Sequence, residues 1–329
     1  MNQPYDVVVV GGSAAGLAAA TYATRQGLRT VVITKDVGGQ MLLTNEIQNY
    51  PGYASVSGFD LSTKLKEQAE SYGAEFVYEE VTGIEESKDC PELCFNVRTT
   101  GGEYNGSTVI LAFGKTPKNL GVPGEKELNG KGVSYCAICD GPLFRGKTVT
   151  VVGSGDQALE AVNYLAGVVK TVYLVHRYDK PIGSEEYITL VLSLPNVKAV
   201  PNSRVEELRG NGRLQVIILE NTNTKETTEL ASEGIFIEIG YIAKTEFVKQ
   251  LVRLNGRGEV EVDREGRTSN PGIFAAGDVT DTPYKQAVIS AAQGSIAALS
   301  AYNHIQRIRG KTAARADWRS IAPIVRKSA

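Results

Sequence analysis

Tyr5-Asp6-Val7-Val8-Val9-Val10-Gly11-Gly12-Ser13-Ala14-Ala15-Gly16 reads as a buried strand running straight into a glycine turn. An unbroken valine run predicts a strand covered on both faces, as in a parallel sheet. A helical pattern follows from Leu17 to Arg25, and Thr30-Val31-Val32-Ile33 supplies a second buried strand. The unit carries Gly-x-Ser-x-x-Gly, close to the dinucleotide fingerprint, in which glycines let the backbone approach a pyrophosphate at a helix N-terminus. Ser13 stands where the central glycine is expected. The acid expected about twenty residues further on, for a ribose hydroxyl, is also missing. Thr34 and Lys35 occupy that place, with Asp36 just after. On this motif alone a purely structural glycine turn stays open.

A second unit of the same kind lies further along. Thr148–Val152 is a strand pattern, Gly153-Ser154-Gly155-Asp156-Gln157-Ala158 a complete Gly-x-Gly-x-x-Ala turn, and a helix runs to about Leu165 before the strand Thr171–Val175. Two dinucleotide turns in one chain are far more specific than either alone. Around them, Phe59 to Tyr72 reads as an amphipathic helix, Glu75 to Val81 as a strand, Cys94 to Arg98 as an alternating strand and Thr108 to Ala112 as a buried one. Lys115 to Gly130, rich in Pro, Gly and charge, reads as an interdomain linker. Leu214–Leu219 and Gly234–Ile239 are short strands. Pro271 to Asp278 is a buried strand ending in a Gly-Asp turn, and Tyr284 to Tyr302 is a small-residue helix. The fold expected is α/β, with two Rossmann-like, doubly wound domains.

Between the two glycine turns stands Tyr135-Cys136-Ala137-Ile138-Cys139-Asp140-Gly141. Two cysteines at this spacing can close a small disulfide or open to a dithiol, and the arrangement commonly lowers one thiol pKa. Asp140 is placed to exchange a proton with the sulfur that leaves during thiol–disulfide exchange. Zinc shares the spacing but needs about four ligands. The remaining cysteines are Cys90 and Cys94, with His176 and His304 far away in sequence, so those two cysteines are read as incidental and no metal site is expected.

The 329 residues suffice for two domains, each with a core. A net charge of −2 argues against nucleic-acid binding. No apolar run approaches a membrane span. The first strand begins at Tyr5, which leaves no room for a targeting segment, and four cysteines do not make a disulfide scaffold; both point to the cytoplasm. The charge is uneven. From Ile305 to Ala329 seven Lys/Arg stand against one acid, Asp317, so the tail carries +6 and the body about −8.

From about Tyr5 to Asn303 the chain resembles the low-molecular-weight thioredoxin reductases. The likeness rests on the amino-terminal glycine turn, Gly38-Gly39-Gln40, Asn49-Tyr50-Pro51-Gly52, Cys136-Ala137-Ile138-Cys139-Asp140 and Gly153-Ser154-Gly155, with Gly277-Asp278-Val279 and Tyr284-Lys285-Gln286-Ala287 near the end. The resemblance implies a homodimeric flavoprotein. Residues 1–115 and 246–304 would form a discontinuous FAD domain, 116–245 a central NAD(P)-type domain bearing the cysteines, and 305–329 a basic extension. FAD would lie along Gly11, Gly12, Ser13, Ala14, Ala15, Gly16, Gly39, Gln40, Asn49 and Gly114, and along Gly277, Asp278, Lys285, Gln286 and Ala287. Cys139 would face the flavin, Cys136 would attack the disulfide of a thioredoxin-like protein, and Asp140 would serve as acid–base. The central domain would have to rotate, hinging near Pro117 and Tyr241-Ile242-Ala243.

The electron donor is where the pattern breaks. NADPH-using relatives show His-Arg-Arg and a further arginine for the 2′-phosphate; here His176-Arg177-Tyr178-Asp179-Lys180-Pro181-Ile182 keeps Arg177 alone. Each lost charge-assisted hydrogen bond is worth roughly 1.5–3 kcal/mol, so two remove some two to four decades of affinity. Gly153, Gly155, Asp156, Gln157, His176, Arg177 and Tyr178 then mark a site for NADPH with charge from Lys180 or Arg204, for NADH, or for a second flavin. A ferredoxin drawn by the basic tail is the donor that needs no nicotinamide. The tail also holds Trp318, between Asp317 and Arg319. It reads either as a solvated extension or as an arm stacking an aromatic over the flavin of a partner subunit. Three other functions fit less well. An alkyl-hydroperoxide-reductase-type flavoprotein is set aside for want of an amino-terminal thioredoxin-like extension, and a ferredoxin–NADP reductase because it lacks the cysteine pair. A flavin or thiol redox sensor would show no turnover.

Overall fold

The computed structural model describes residues 4–43, 46–87 and 94–311. Asn45, Cys90 and the tail residues Asp317, Trp318 and Arg319 lie outside them. The chain divides into two compact units, Met1–Lys115 with Ala243–Ala329, and Thr116–Ile242. The return crossing, at 242/243, falls just ahead of the 245/246 expected.

In chain order the first unit opens with β1 (Tyr5–Gly12), α1 (Ala14–Arg25), β2 (Thr30–Val37), α2 (Gly58–Ser71), β3 (Glu75–Tyr78), β4 (Val81–Ser87), β5 (Cys94–Thr99) and β6 (Glu103–Leu111). The inserted unit holds β7 (Thr116–Pro117), β8 (Val133–Ser134), α3 (Ala137–Asp140), β9 (Thr148–Val152), α4 (Asp156–Ala166), β10 (Thr171–Val175), α5 (Glu185–Leu192) and β11 (Val197–Val200). It continues through β12 (Ser203–Gly210), β13 (Leu214–Asn221), β14 (Thr227–Ala231), β15 (Gly234–Ile237) and β16 (Tyr241–Ile242). The first unit resumes with β17 (Ile273–Ala275) and α6 (Ala287–Ile308).

The first unit's sheet runs β3-β2-β1-β6-β5-β4, with β17 also pairing β6. The β3-β2-β1-β6 and β6-β17 pairs are parallel, and β4, β5 and β6 pair antiparallel. Successive residues of a strand point to opposite faces, and β1 uses both. Val7 and Val9 join Ala19 of α1 and Ala297 and Ala301 of α6 in one core cluster. Val8 and Val10 join Ile84, Phe95, Val248 and Val260 in another. Each of those valines is at most 4% exposed, and burying each contributes about 1.5–3 kcal/mol. The valine run is unbroken because neither face of this strand meets water.

The inserted unit repeats the plan with the parallel sheet β11-β10-β9-β15-β8. Val149 and Val151 pack with Ala158, Leu159 and Val162 of α4. Val152 and Val175 pack with Val205, Leu208 and Ile217 of the antiparallel sheet β12-β13-β14. The two crossing segments pair with each other, Tyr241 with Pro117 and Ile242 with Thr116.

Three expectations shift. Glu75–Val81 is not one strand: β3 follows β2 and β4 turns back along β5. Glu79 and Glu80 sit at the break, where the Glu80 carbonyl accepts the Thr100 N–H at 2.9 Å and its carboxylate pairs with Lys35. The helix after Pro283 begins at Ala287, because Lys285 reaches back to the carbonyls of Asp278 and Thr280 and Gln286 remains extended. It runs on to Ile308, since Ile305 is core. Lys115–Gly130 is not a free linker: Leu128 is buried in the inserted unit's core, with Leu120 and Val122 packed against it.

Candidate active site

The redox pair is closed. Cys136 and Cys139 are disulfide-bonded, with Cα atoms 5.3 Å apart, inside the range a disulfide requires. Cys136 is the N-cap of the single turn α3, and its Sγ accepts the Cys139 backbone N–H at 3.0 Å. In the reduced protein the same donor favours the Cys136 thiolate over the thiol. Ser134 fixes the approach to the turn: its hydroxyl accepts the Cys136 N–H at 3.0 Å and donates to the Cys136 carbonyl at 3.2 Å. Asp140 closes the turn through its N–H to the Cys136 carbonyl at 3.2 Å. Cys136 is half-buried and Cys139 exposed. Cys94 is buried at the start of β5 and is not a free thiol.

In the first unit, the residues expected to hold FAD converge from three stretches. Gly11 has φ +111°, and a Cβ on Gly16 would lie 1.8 Å from the Gly11 carbonyl oxygen, so the turn is closed to larger side chains. Ser13 is tolerated because its hydroxyl turns away to donate to the Gly38 carbonyl at 2.6 Å. That bond ties the turn to Gly39 and Gln40, whose amide donates to the Lys115 carbonyl, beside Gly114, at 3.2 Å. The first-turn N–H groups of α1, Ala14 and Ala15 among them, receive no side-chain cap and are free for an anion. Asp36, just beyond the missing ribose acid, instead accepts the Gly39 N–H at 2.9 Å. From the far end of the chain, Asp278 accepts the Ser290 hydroxyl at 3.1 Å, and Gln286, next to Ala287, accepts the Asn49 amide at 2.9 Å.

One part of this site was not expected from the sequence. Glu259 is 1% exposed and binds Lys115 at 2.7 Å, Lys285 at 3.3 Å and Arg257 at 3.0 Å. Burial alone would raise its pKa; the bonds from Lys115, Asn255 and Lys285 overcome this and hold it at about 2. Lys285 is depressed in turn, by burial and by the Lys115 charge. The run Asn255-Gly256-Arg257-Gly258-Glu259 reads as a solvated charged turn, and nothing in it signals a buried acid.

In the inserted unit the second glycine turn keeps its form. A Cβ on Gly153 would lie 2.2 Å from the Glu238 carbonyl oxygen, whereas one on Gly155 would meet nothing within 4 Å. There is thus open space over the uncapped N-terminus of α4, where Asp156 and Gln157 are exposed. The loop after β10 is tied onto this turn by the Ile182 N–H to the Ser154 carbonyl at 2.6 Å. Tyr178 and Ile182 are 53% and 57% exposed. Arg177 is exposed and makes no ion pair among the described residues. Arg204, one source considered for a second phosphate-binding charge, is engaged by Glu206 at 2.6 Å and Glu220 at 3.1 Å. His176 is buried without a hydrogen-bond partner for either ring nitrogen, and burial depresses its pKa. Glu238 is raised to about 7, by burial first and then by the charge of Glu160.

Two dinucleotide-type folds, one carrying a closed Cys-x-x-Cys, define a disulfide oxidoreductase of the two-fold class. The chain belongs to the pyridine nucleotide-disulphide oxidoreductase family, which matches residues 5–294, and within it to the thioredoxin reductase type. It is 39% identical to the thioredoxin reductase of Treponema pallidum over 94% of this chain and 100% of that one. The crystal structure of Lactococcus lactis thioredoxin reductase (FR conformation) has a TM-score of 0.82 and 37% identity, covering 92% of this chain and 99% of that one. The flavoprotein component of the Pseudomonas aeruginosa alkyl hydroperoxide reductase is 40% identical over 92% of this chain, which spans 58% of that protein's length. The alternative set aside on sequence grounds therefore shares the family. The fold and enzyme class expected from the sequence are the ones found, and FAD is the cofactor that goes with them. The closed glycine turn, the uncapped α1 terminus and the Asn49–Gln286 pair fit that group. Among the described residues no helix is long and apolar enough to cross a membrane.

Proposed function

We propose that the chain reduces the disulfide of a thioredoxin-like protein, with electrons passing through FAD and the Cys136–Cys139 pair. The observation that carries this is the Cys139 N–H directed at the Cys136 sulfur, in a closed disulfide on a dinucleotide fold. Bound FAD supplies the two-electron reduction that opens the Cys136–Cys139 disulfide. The Cys136 thiolate, held by that N–H, attacks one sulfur of the partner's disulfide and forms a mixed disulfide. The partner's other sulfur leaves as a thiolate and takes a proton, for which Asp140 is the nearest acid in sequence. Cys139 then attacks Cys136, the partner's second thiolate leaves and is protonated, and the Cys136–Cys139 disulfide is restored. The residues Gly11 to Gly16, Gly39, Gln40, Asn49, Gly114, Gly277, Asp278 and Lys285 to Ala287 are assigned to FAD.

The donor we assign to the second glycine turn is NADH. Gly153 to Ala158 keeps room for a pyrophosphate, while the 2′-phosphate would meet Arg177 beside the exposed Tyr178 and Ile182, with Arg204 already paired. Anaerobic mixing tests this: NADH should bleach the flavin absorbance faster than NADPH. Bleaching by neither, with full bleaching by dithionite, would overturn a nicotinamide donor and favour ferredoxin. The central-domain assignment, the hinges near Pro117 and Ile242, the homodimer and the cytoplasmic location rest on the resemblance; sedimentation of the holoprotein checks the dimer.

A further inference from the structure

The inserted unit contains a buried carboxylate that the exchange reaction does not use. Glu125 is 3% exposed and makes no ion pair among the described residues. Its oxygens take three donors instead. One accepts the Leu120 N–H at 2.8 Å and the Tyr135 O–H at 2.7 Å, and the other accepts the Gly121 N–H at 2.7 Å. A buried carboxylate is costly unless its lone pairs are met in this way. The donors come from two places. Leu120 and Gly121 lie just after the chain enters the inserted unit, and Tyr135 is the residue before Cys136.

The segment holding Glu125 is itself fixed. The Pro123 carbonyl accepts the Leu208 N–H at 2.9 Å, and a Cβ on Gly124 would lie 2.0 Å from the Leu208 carbonyl oxygen. Burial, and then the bond and charge of Glu125, push the Tyr135 phenol well above its ordinary value, so it remains a donor. From Tyr135 the restraint passes through Cys136, whose backbone Ser134 holds on both sides, to the sulfur under the Cys139 N–H.

We propose that Glu125 is a positioning residue for the attacking thiol: by anchoring the Tyr135 phenol it fixes the Cys136 sulfur against the Cys139 N–H. This rests on the reading of Cys136 as the thiol that attacks the partner. A purely structural role would change melting and leave thiol reactivity alone.

The test is iodoacetamide alkylation of the reduced holoprotein, followed against pH, with the labelled cysteine located by mass spectrometry. Tyr135→Phe removes one bond and leaves both backbone donors on Glu125, so it keeps the fold. Its Cys136 alkylation at pH 7 should fall about three- to tenfold, the worth of one hydrogen bond, with the pH midpoint moved up. Glu125→Gln should lower it at least as far, because an amide nitrogen would face the Gly121 N–H, and the double variant should be no slower than Glu125→Gln alone. Wild-type rates and midpoint in folded Tyr135→Phe would overturn the proposal even if Glu125→Gln failed to fold. Alkylation falling first on Cys139 in the unmodified protein would instead overturn Cys136 as the attacking thiol, and the proposal with it.

Discussion

Replacing Glu259 with Gln strands two ammonium groups in the first unit. Lys115 and Lys285 lie 2.7 and 3.3 Å from the Glu259 carboxylate, with side chains only 18% and 26% exposed. Removing one partner of a buried pair costs about 3–5 kcal/mol, since the remaining charge is uncompensated. A second route gives a similar size. The carboxyl is held at about 2 against an ordinary 4.5, equivalent to about 3 kcal/mol at most, because the lysines keep some contact with water. A depressed carboxyl stabilises the fold above its unfolded pKa and loses that contribution as pH falls through the folded value. The difference between wild type and Glu259→Gln should therefore be full at pH 7, shrink below about pH 4.5, and vanish near pH 2. Urea unfolding of the holoprotein, followed by far-UV circular dichroism at several pH values, measures it. Adding Lys115→Met to Glu259→Gln should recover part of the loss by removing one stranded charge. A loss below about 1 kcal/mol at pH 7, or one that does not change between pH 7 and pH 3, would refute the ion cluster as a determinant of stability.

Gly16→Ala should cost about 3 kcal/mol or more, since its Cβ falls on the Gly11 carbonyl oxygen; unfolding and the flavin bound per chain both report it. Glu238→Gln should act only at higher pH. A carboxyl raised to about 7 costs stability as pH rises through 4.5 to 7, so the variant should match wild type at pH 4 and exceed it by up to about 3 kcal/mol at pH 8. Tyr178→Arg with Ile182→Arg should shift coenzyme preference toward NADPH by about a hundredfold, as two charge-assisted bonds would, measured as the ratio of the two flavin-reduction rates.

Most of the fold could be read from the sequence because its strands are buried on both faces. Val7 to Val10, Val149 to Val152 and Val172 to Val175 give continuous apolar runs, and the glycine turns after the first two place the helices. The failures come where a tertiary partner decides. Glu79 and Glu80 break a strand through contacts with Thr100 and Lys35. Lys285 delays the start of α6 by bonding carbonyls upstream. Glu125 draws a Pro- and Gly-rich stretch into the core of the inserted unit. The candidate site divides in the same way. Cys136, Cys139 and the glycine turns announce themselves by spacing, whereas Glu125, Ser134 and Glu259 are ordinary residues in polar stretches. Their roles come from burial and from partners distant in sequence, which local pattern does not encode.

The central claim is that the flavin and the Cys136–Cys139 pair share one pool of electrons. Anaerobic dithionite titration of the holoprotein, compared with Cys139→Ser, tests it most directly. A two-electron flavin joined to a two-electron disulfide predicts that the wild type takes up twice the reducing equivalents of the variant before bleaching is complete. Oxidised thioredoxin should then reoxidise the wild type alone. Equal uptake by the two proteins, or reoxidation of the variant by thioredoxin at the wild-type rate, would contradict the account.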